Sequence, residues 1–375
     1  MLRYLTAGES HGKALVTILE GYPAGLKLDV DFVNGELKRR QTGYGRGGRM
    51  VIEQDTIDLL SGTRKGVTLG SPIAMKIENK DYKIEELPEV NNPRPGHADL
   101  TGGLKYNHHD VRNILERSSA RETTSRVAVG AACKLLLAEF GVRIVSHIIQ
   151  IGGVRAKTGG KIDFNKIVER SESSPVRCVD PEAEKKMIQL IDQMKEAGDT
   201  LGGIFEVVAM GAPVGLGSCM HYDRKLDSII GAAILSIQAV KAVEMGEGIL
   251  SATQPGSAVH DEIFYDKGKG FYRDSNSSGG FEGGMTNGEP VVVRGFMKPL
   301  STLRSAMMSV NVVTKEPFKA TVERSDVCAV PSAGIVGEAV VAFELARAFL
   351  EKFGGDSVTE IKRNYEGYLK QIREF

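Results

Sequence analysis

Arginine and serine side chains are concentrated just before a long apolar segment that begins near residue 127. The group consists of Arg112, Arg117, Ser118, Ser119, Arg121 and Arg126. Positive charge at a helix N-terminus opposes the helix dipole, so helix stability does not explain these arginines. Backbone N–H groups, hydroxyls and guanidinium groups at a helix start are common partners of anions. The stretch is therefore a candidate anion site, and the alternative is a polar first turn whose arginines extend into solvent.

A second group of cations occupies a glycine-rich stretch at residues 38–49. Its members are Lys38, Arg39, Arg40, Arg46 and Arg49. A basic loop of this kind could bind RNA, close over a phosphorylated small molecule, or stay solvated without a ligand. The chain carries 48 basic and 48 acidic residues, so its formal charge is zero. Because nucleic-acid binders usually carry net positive charge, this balance favours the small molecule.

Two histidines lie in turns that could present them to a site. His11 belongs to Gly8-Glu-Ser-His-Gly12, which matches the G-x-S-x-G elbow of serine hydrolases. That elbow requires a helix after the serine, whereas a β-branched strand pattern follows here, which disfavours a hydrolase using Ser10. A turn histidine in solvent is the alternative for His11. His97 follows a Pro-Gly turn, and Asp99 could either orient its imidazole or cap a helix.

Length and composition limit the possible classes of protein. The 375 residues correspond to one large domain or two. The four cysteines show no C-x-x-C spacing, which predicts free thiols and a reducing compartment. His108-His109-Asp110 lacks the spacing of a metal site. The first residues predict a strand rather than a signal peptide, and no uninterrupted apolar run reaches membrane-spanning length, so we expect a cytoplasmic protein.

Three segments are apolar on nearly all sides of a predicted helix. They are residues 119–140, 228–245 and 333–353. Ser119 and Glu122 form a capping box at the first of them, and Asp227 is expected to cap the second. Because helices without a polar face need cover on both sides, the three are predicted to form an interior layer.

The remaining periodic segments predict shorter helices and several strands. The helices are expected at residues 29–40, 181–198 and 357–370. The strands are expected at residues 2–7, 14–19, 50–53, 73–78, 143–151, 204–210, 290–296 and 318–322. Residues 255–288 are polar and rich in glycine, which predicts a long loop.

Four motifs along the chain are similar to signatures of the chorismate synthase family. They are Gly8-Glu-Ser-His-Gly12, Arg94-Pro-Gly-His-Ala-Asp99, Glu116-Arg-Ser-Ser-Ala-Arg-Glu-Thr123 and Arg324-Ser-Asp-Val-Cys-Ala-Val-Pro331. The match is collinear and spans nearly the whole chain. Some members have histidine where this chain has Ser325, so that position is not expected to be essential.

The resemblance implies a reaction and a fold. The family removes phosphate and a ring hydrogen from 5-enolpyruvylshikimate 3-phosphate in a 1,4-anti elimination that gives chorismate, the last step of the shikimate pathway. The reaction requires reduced FMN, with NADPH considered only as an external reductant. The implied fold is α+β: one domain over residues 1–375, a β-α-β sandwich with long apolar helices between antiparallel sheets. A cytoplasmic homotetramer is expected, without nucleic acid, membrane or metal as a partner.

The resemblance also implies roles for individual residues. His11 would protonate or hydrogen-bond the leaving phosphate, and His97 would protonate the reduced flavin at N1. Asp326 with Ser10 would help to move the proton at flavin N5. The implied cofactor contacts are Arg117, Ser118, Ser119, Gln238, Ala239, Gly283, Lys298, Pro299, Leu300, Ser301, Thr302 and Arg324. The candidate cations for the polyanionic substrate are Arg40, Arg46, Arg49, Arg94, Arg121 and Arg126. RNA binding and serine hydrolysis are kept as alternatives.

Overall fold

Two antiparallel sheets and the helices packed against them form most of the chain. A computed structural model describes residues 1–47, 53–157, 163–323 and 325–375. The strands are β1 (Arg3–Ala7), β2 (Ala14–Glu20), β3 (Asp58–Leu59), β4 (Thr63–Arg64), β5 (Val67–Thr68), β6 (Ile73–Glu78), β7 (Arg143–Ile151), β8 (Val154–Arg155), β9 (Gly203–Met210), β10 (Val240–Met245), β11 (Ile263–Asp266), β12 (Gly270–Arg273), β13 (Phe281–Glu282), β14 (Met285–Thr286), β15 (Val291–Met297), β16 (Met308–Val310) and β17 (Pro317–Lys319). The helices are α1 (Val30–Gln41), α2 (Asp99–Tyr106), α3 (Arg112–Ser118), α4 (Thr123–Ala138), α5 (Phe164–Ser173), α6 (Pro181–Ala197), α7 (Leu226–Leu235), α8 (Gly248–Ser251), α9 (Gly256–Val259), α10 (Val330–Phe353) and α11 (Val358–Glu374).

The first sheet has the strand order β1-β2-β6-β3. Its pairs are all antiparallel. In β6, Ile73, Met75 and Ile77 are buried while the residues between them are more exposed, as expected for a sheet with one face against the core. The turn from β1 to β2 contains His11, so this sheet holds one of the candidate catalytic residues at its end.

The second sheet has the strand order β10-β15-β9-β7-β8, again with antiparallel pairs. Its central strand β9 is buried almost throughout because both faces of the sheet are covered. Helix α10 packs on one face. On the other face, Phe164 and Ile167 of α5 pack against Val145 and Val208.

Helices α4 and α10 lie at the centre of the hydrophobic core. They pack against each other, and α4 also contacts β1 and β2 while α10 contacts β7 and β9. Their close approach depends on Gly130, where an added Cβ would lie 2.4 Å from the Cα of Ala339. The lack of a polar face on either helix, seen in the sequence, follows from this placement.

A buried carboxylate joins the core helices to α1. Glu338 of α10 is fully buried and accepts hydrogen bonds from Arg39 at 2.9 and 3.0 Å and from the Ser146 hydroxyl at 2.6 Å. It also pairs with Lys134 of α4. Burial alone would raise the pKa of Glu338, but the charges of Arg39 and Lys134 hold it well below its ordinary value. The network fixes the last turn of α1, which contains Arg40 next to Arg39.

The second apolar helix is shorter than the sequence predicts, and its predicted cap is wrong. The expected helix covers residues 228–245, but α7 ends at Leu235 and β10 follows. Ala239 has φ +66°, a left-handed conformation that a continuing helix does not allow. The apolar residues after it pair with β15 as an edge strand, and an apolar run alone does not separate helix from strand. Lys225, not Asp227, occupies the N-cap position of α7.

The other predicted elements are mostly confirmed. The first apolar segment begins with a 3₁₀ turn at Ala120–Glu122, capped by Ser119, before α4, and the third is α10. The helices predicted at residues 29–40, 181–198 and 357–370 are α1, α6 and α11. The strand predicted at residues 50–53 falls mostly outside the described residues. The strand predicted at residues 318–322 is wrong over most of its length, because the observed strand β17 ends at Lys319.

Residues 255–288 are more ordered than the predicted loop. They contain α9 and two hairpins, β11–β12 and β13–β14. All four cysteines are free. Within the described ranges, none of the helices combines the length and the apolar character needed to cross a membrane.

We expect Gly130→Ala to destabilise the protein by about 1–3 kcal/mol, because the new methyl group would force α4 and α10 apart. The free energy of unfolding in urea measures this effect. Gly367→Ala is the matched control, since Gly367 is exposed in α11 with nothing within 4 Å of its added Cβ. That control should be neutral or stabilising by up to about 1 kcal/mol. Equal stability of Gly130→Ala and the parent would contradict the close helix contact.

Candidate active site

A cavity of about 780 Å³ lies at the N-terminal ends of α4 and α10. Ser10, His11, His97 and Asp326 all line it. These are the four residues to which the sequence assigned catalytic roles, and they come from three separate segments of the chain. The fold therefore brings two imidazoles, a hydroxyl and a carboxylate to one chamber.

Most of the other predicted site residues line the same cavity. They are Arg40, Arg46, Arg94, Ser118, Ser119, Arg121, Gln238, Ala239, Lys298, Leu300, Ser301 and Thr302. Among the described residues, four predicted ones are not part of its wall: Arg117, Arg126, Gly283 and Pro299. Arg49 and Arg324 lie outside the described part of the chain.

The residues away from the wall have other positions. Arg117 donates to the carbonyl oxygen of Gly8 at 2.9 Å, so it supports the turn that carries His11. Arg126 pairs with Glu122 at 2.9 Å along α4. Gly283 lies in the turn between β13 and β14 with φ +59°. Their contacts with a cofactor or substrate stay predictions.

His11 is held by a buried carboxylate of α3. Both oxygens of Glu116 lie 3.0 Å from His11 Nδ1, and Glu116 also accepts from the backbone N–H of His11 at 2.8 Å. Burial alone would raise the pKa of Glu116, but the hydrogen bonds from His11 and the charge of Arg112 lower it. Because an ionised carboxylate only accepts, Nδ1 is the donor and Nε2 is the ring nitrogen left for a ligand.

His97 has a similar partner. Its Nδ1 lies 2.5 Å from Asp99, which is fully buried and also accepts from Arg94 Nε at 2.8 Å. Burial alone would raise the pKa of Asp99, but hydrogen bonds from His97 and Arg94 hold it well below its ordinary value. Asp99 therefore orients His97, one of the two roles left open by the sequence.

Two distant segments are joined across the cavity. Arg94 donates to the Thr302 hydroxyl at 2.8 Å. Lys298 Nζ and the Ser301 hydroxyl donate to the carbonyl oxygen of Gly96 at 2.8 and 3.0 Å. Partial burial and the charge of Lys241 lower the pKa of Lys298. These bonds fix the turn that presents His97 against residues 298–302.

Buried guanidinium groups line one part of the cavity. Arg121 pairs with Asp55 at 2.5 Å, and Arg40 lies 4.0 Å from the same carboxylate. Within the described chain, Arg40 Nε and Arg121 Nη2 are buried without an acceptor at hydrogen-bond distance, although Arg121 Nη2 lies 3.6 Å from the Glu53 carboxylate. Burial lowers the pKa of Arg40. The negative charge of Asp55 offsets part of this effect, and the positive charges of Arg121 and Arg46 add to it. An anion placed beside these donors would supply both an acceptor and opposite charge.

Sequence reasoning missed several residues of the wall and its support. The wall also includes Lys83, Lys195 and Arg304, which occur in no motif that the sequence singled out. Glu116 could have been noticed as the first residue of a motif that also contains Arg117 and Ser118. Nothing in the sequence indicates that its carboxylate reaches the turn after β1.

Comparison with known proteins identifies the family. A family model described as chorismate synthase matches residues 2–350. The chain belongs to the chorismate synthase family. The chorismate synthase of Geobacter metallireducens is 53% identical over 394 residues, and that of Geobacillus sp. (strain WCH70) is 55% identical over 388, each with full coverage of both chains. A solved structure described as chorismate synthase is 45% identical with a TM-score of 0.84, covering 100% of this chain and 99% of the other.

Family membership decides between the activities considered from the sequence. The chain is a carbon–oxygen lyase that eliminates phosphate from 5-enolpyruvylshikimate 3-phosphate to give chorismate, in a flavin-dependent reaction. The serine-hydrolase alternative also fails locally, because β2 rather than a helix follows the turn that contains Ser10.

The cavity contains groups that suit a flavin. Gln238 Oε1 is buried without a hydrogen-bond partner among the described residues. The hydroxyls of Ser118, Ser119 and Thr302 lie in the same wall as the apolar side chain of Leu300. Polar groups for a phosphate and ribityl chain are thus combined with an apolar surface for a ring.

We expect Asp99→Asn to lower the free energy of unfolding by about 1.5–3 kcal/mol at pH 6–7, because Arg94 and His97 lose a charged acceptor. The pKa of Asp99 is lower in the folded protein than in the unfolded chain, where it is about 3.9. The ionised carboxylate therefore contributes fully to stability above that pH, and this contribution is lost as the pH falls below it. The difference in stability between the parent and Asp99→Asn should therefore become smaller below about pH 4. Urea unfolding from pH 6 to pH 3.5 measures it.

Asp223→Asn is the matched control. It breaks a similar Asp–His pair that is exposed, in which His221 Nδ1 lies 2.7 Å from the Asp223 carboxylate. It should change stability little at any pH. A stability difference for Asp99→Asn that stays constant down to pH 3.5 would contradict the assigned charge state.

Proposed function

We propose that the cavity holds reduced FMN and 5-enolpyruvylshikimate 3-phosphate side by side, with His11 and His97 handling the protons. The observation that carries this proposal is that both histidines line one cavity together with Arg40, Arg46 and Arg121. A phosphorylated dicarboxylate needs several cations, and proton transfer near neutral pH suits imidazoles.

Cofactor binding is assigned to the side of the cavity formed by the residues just before β10, the residues that follow β15 and the junction between α3 and α4. The residues that would hold FMN are Ser118, Ser119, Gln238, Ala239, Lys298, Leu300, Ser301 and Thr302, and, by resemblance, Arg117, Gly283, Pro299 and Arg324. When bound, reduced FMN supplies electron density to the substrate transiently and recovers it. The chain's own contribution is to orient the ligands and to exclude water with side chains such as Leu300.

Substrate binding is assigned to the buried guanidinium groups. Arg40 and Arg121 offer donors that have no hydrogen-bond acceptor among the residues described, Arg46 lies beside them, and Arg94 lies beside His97. By resemblance, Arg49 and Arg126 are also candidates. Bidentate guanidinium groups suit phosphate and carboxylate oxygens better than lysine would.

Each proton-handling group has a defined place. His11 Nε2 is the ring nitrogen available to protonate or hydrogen-bond the leaving phosphate, because Nδ1 is occupied by Glu116. His97, oriented by Asp99, would protonate the reduced flavin. Asp326 is paired with Arg46 at 2.7 Å and, with Ser10, would help to move the proton at flavin N5.

The wider setting follows the family. We infer one domain over residues 1–375 and a β-α-β sandwich with α4 and α10 between the two sheets, supported by their contacts with both. A cytoplasmic homotetramer without nucleic acid, membrane or metal partners completes the proposal.

We expect His11→Ala and His97→Ala each to lower turnover at least about 10²-fold when reduced FMN is supplied, because each removes a general acid. Anaerobic assays of chorismate formation measure this loss. His260→Ala is the control, since His260 is exposed and lies outside the cavity wall. Near-normal turnover of either cavity variant would refute the role proposed for that histidine.

We also expect the protein to depend on an outside reductant for its flavin. Under anaerobic conditions with FMN and NADPH alone, chorismate should not form, whereas chemically reduced FMN should restore turnover in the same sample. Formation of chorismate with NADPH alone would contradict this expectation.

A further inference from the structure

Glu116 of α3 holds the turn that carries His11 through several hydrogen bonds. The backbone carbonyl of Glu116 accepts from the N–H of Ser10 at 3.0 Å. Its carboxylate accepts from the N–H of His11 at 2.8 Å and from Nδ1 of the same residue at 3.0 Å. Because one carboxylate binds both the main chain and the ring of His11, it fixes the position of the residue and the rotation of its imidazole.

The carboxylate of Glu116 is almost entirely enclosed. Its side chain is 2% exposed, and Arg112 approaches it at 3.4 Å from the preceding turn of α3. Arg112 also pairs with Glu323 at 3.0 Å and donates a hydrogen bond to the Pro88 carbonyl oxygen at 2.5 Å. The carboxylate of Glu116 therefore lies closer to His11 than to Arg112, in surroundings where water screens its charge poorly.

Other charged groups also face His11. Asp81 lies 3.8 Å from Nε2 and is paired with Lys83 at 2.6 Å. Arg40, Arg46 and Arg121 line the same cavity and disfavour positive charge on the ring. A proton donor beside so many guanidinium groups needs a compensating anion close to the ring, and Glu116 is the nearest one described.

We propose that Glu116 is the positioning residue of a carboxylate–imidazole pair that keeps a proton on His11 Nδ1 and holds the ring with Nε2 free to face the cavity. This inference rests on the proposed function of His11 as the acid for the leaving phosphate. Glu116 acts through His11 and touches neither substrate nor cofactor. The transferable proton is then on Nε2, and the ring can deliver it without rotating.

The test compares Glu116→Gln with Glu116→Asp, which keeps the charge. In Glu116→Gln, turnover should fall at least about 10-fold with little change in KM, because the imidazole loses the carboxylate that fixes its orientation and its Nδ1 proton. Glu116→Asp should recover part of the turnover. The ¹⁵N spectrum of the histidine side chains should show Nδ1-protonated His11 in the parent and a tautomer mixture in Glu116→Gln.

Glu206→Gln is the matched control, because it alters another buried Glu–His pair, with His147 Nε2 at 2.8 Å, outside the cavity. It should lower stability without changing turnover or the tautomer of His11. Unchanged turnover and an unchanged tautomer in folded Glu116→Gln would overturn the inference while leaving the role of His11 intact. Near-normal turnover of His11→Ala would instead remove the proposed function itself and this inference with it.

Discussion

Burial of positive charge is the constraint on which the cavity depends. Arg40, Arg94 and Arg121 are each less than a tenth exposed, and charged groups are costly to bury unless they are paired. Asp55 and Asp99 supply part of the opposite charge, but Arg40 and Arg121 keep donor atoms without acceptors in the described chain. An anionic ligand completes this arrangement, so the same feature that opposes folding favours binding.

The fold supports this constraint from outside the cavity. Glu338 binds residues from α1, α4 and β7 at the centre of the core, and this network fixes the helix that ends at Arg40 and Gln41. The N-terminal ends of α4 and α10 then form one wall of the chamber. Because these elements are buried and packed, the guanidinium groups hold their positions before a ligand arrives, which is the basis of preorganised electrostatic binding.

Sequence patterns predicted the core helices better than the support of the site. Helices α4 and α10 could be found because they are apolar on nearly all sides. The prediction failed after Ser236, since a short apolar run alone does not distinguish a strand such as β10 from a continuing helix. The motifs located His11, His97 and Asp326. They could not show that Glu116 reaches His11, because that contact joins residues far apart in the chain and depends on where the fold places α3 relative to the turn between β1 and β2.

The most direct measurement of the central claim is a crystal structure of the protein with oxidised FMN and 5-enolpyruvylshikimate 3-phosphate. The expected result places substrate oxygens within hydrogen-bond distance of Arg40 or Arg121, the flavin ring beside Gln238, and the imidazoles of His11 and His97 against the bound pair. Ligands bound elsewhere, or a bound pair that neither imidazole touches, would contradict it.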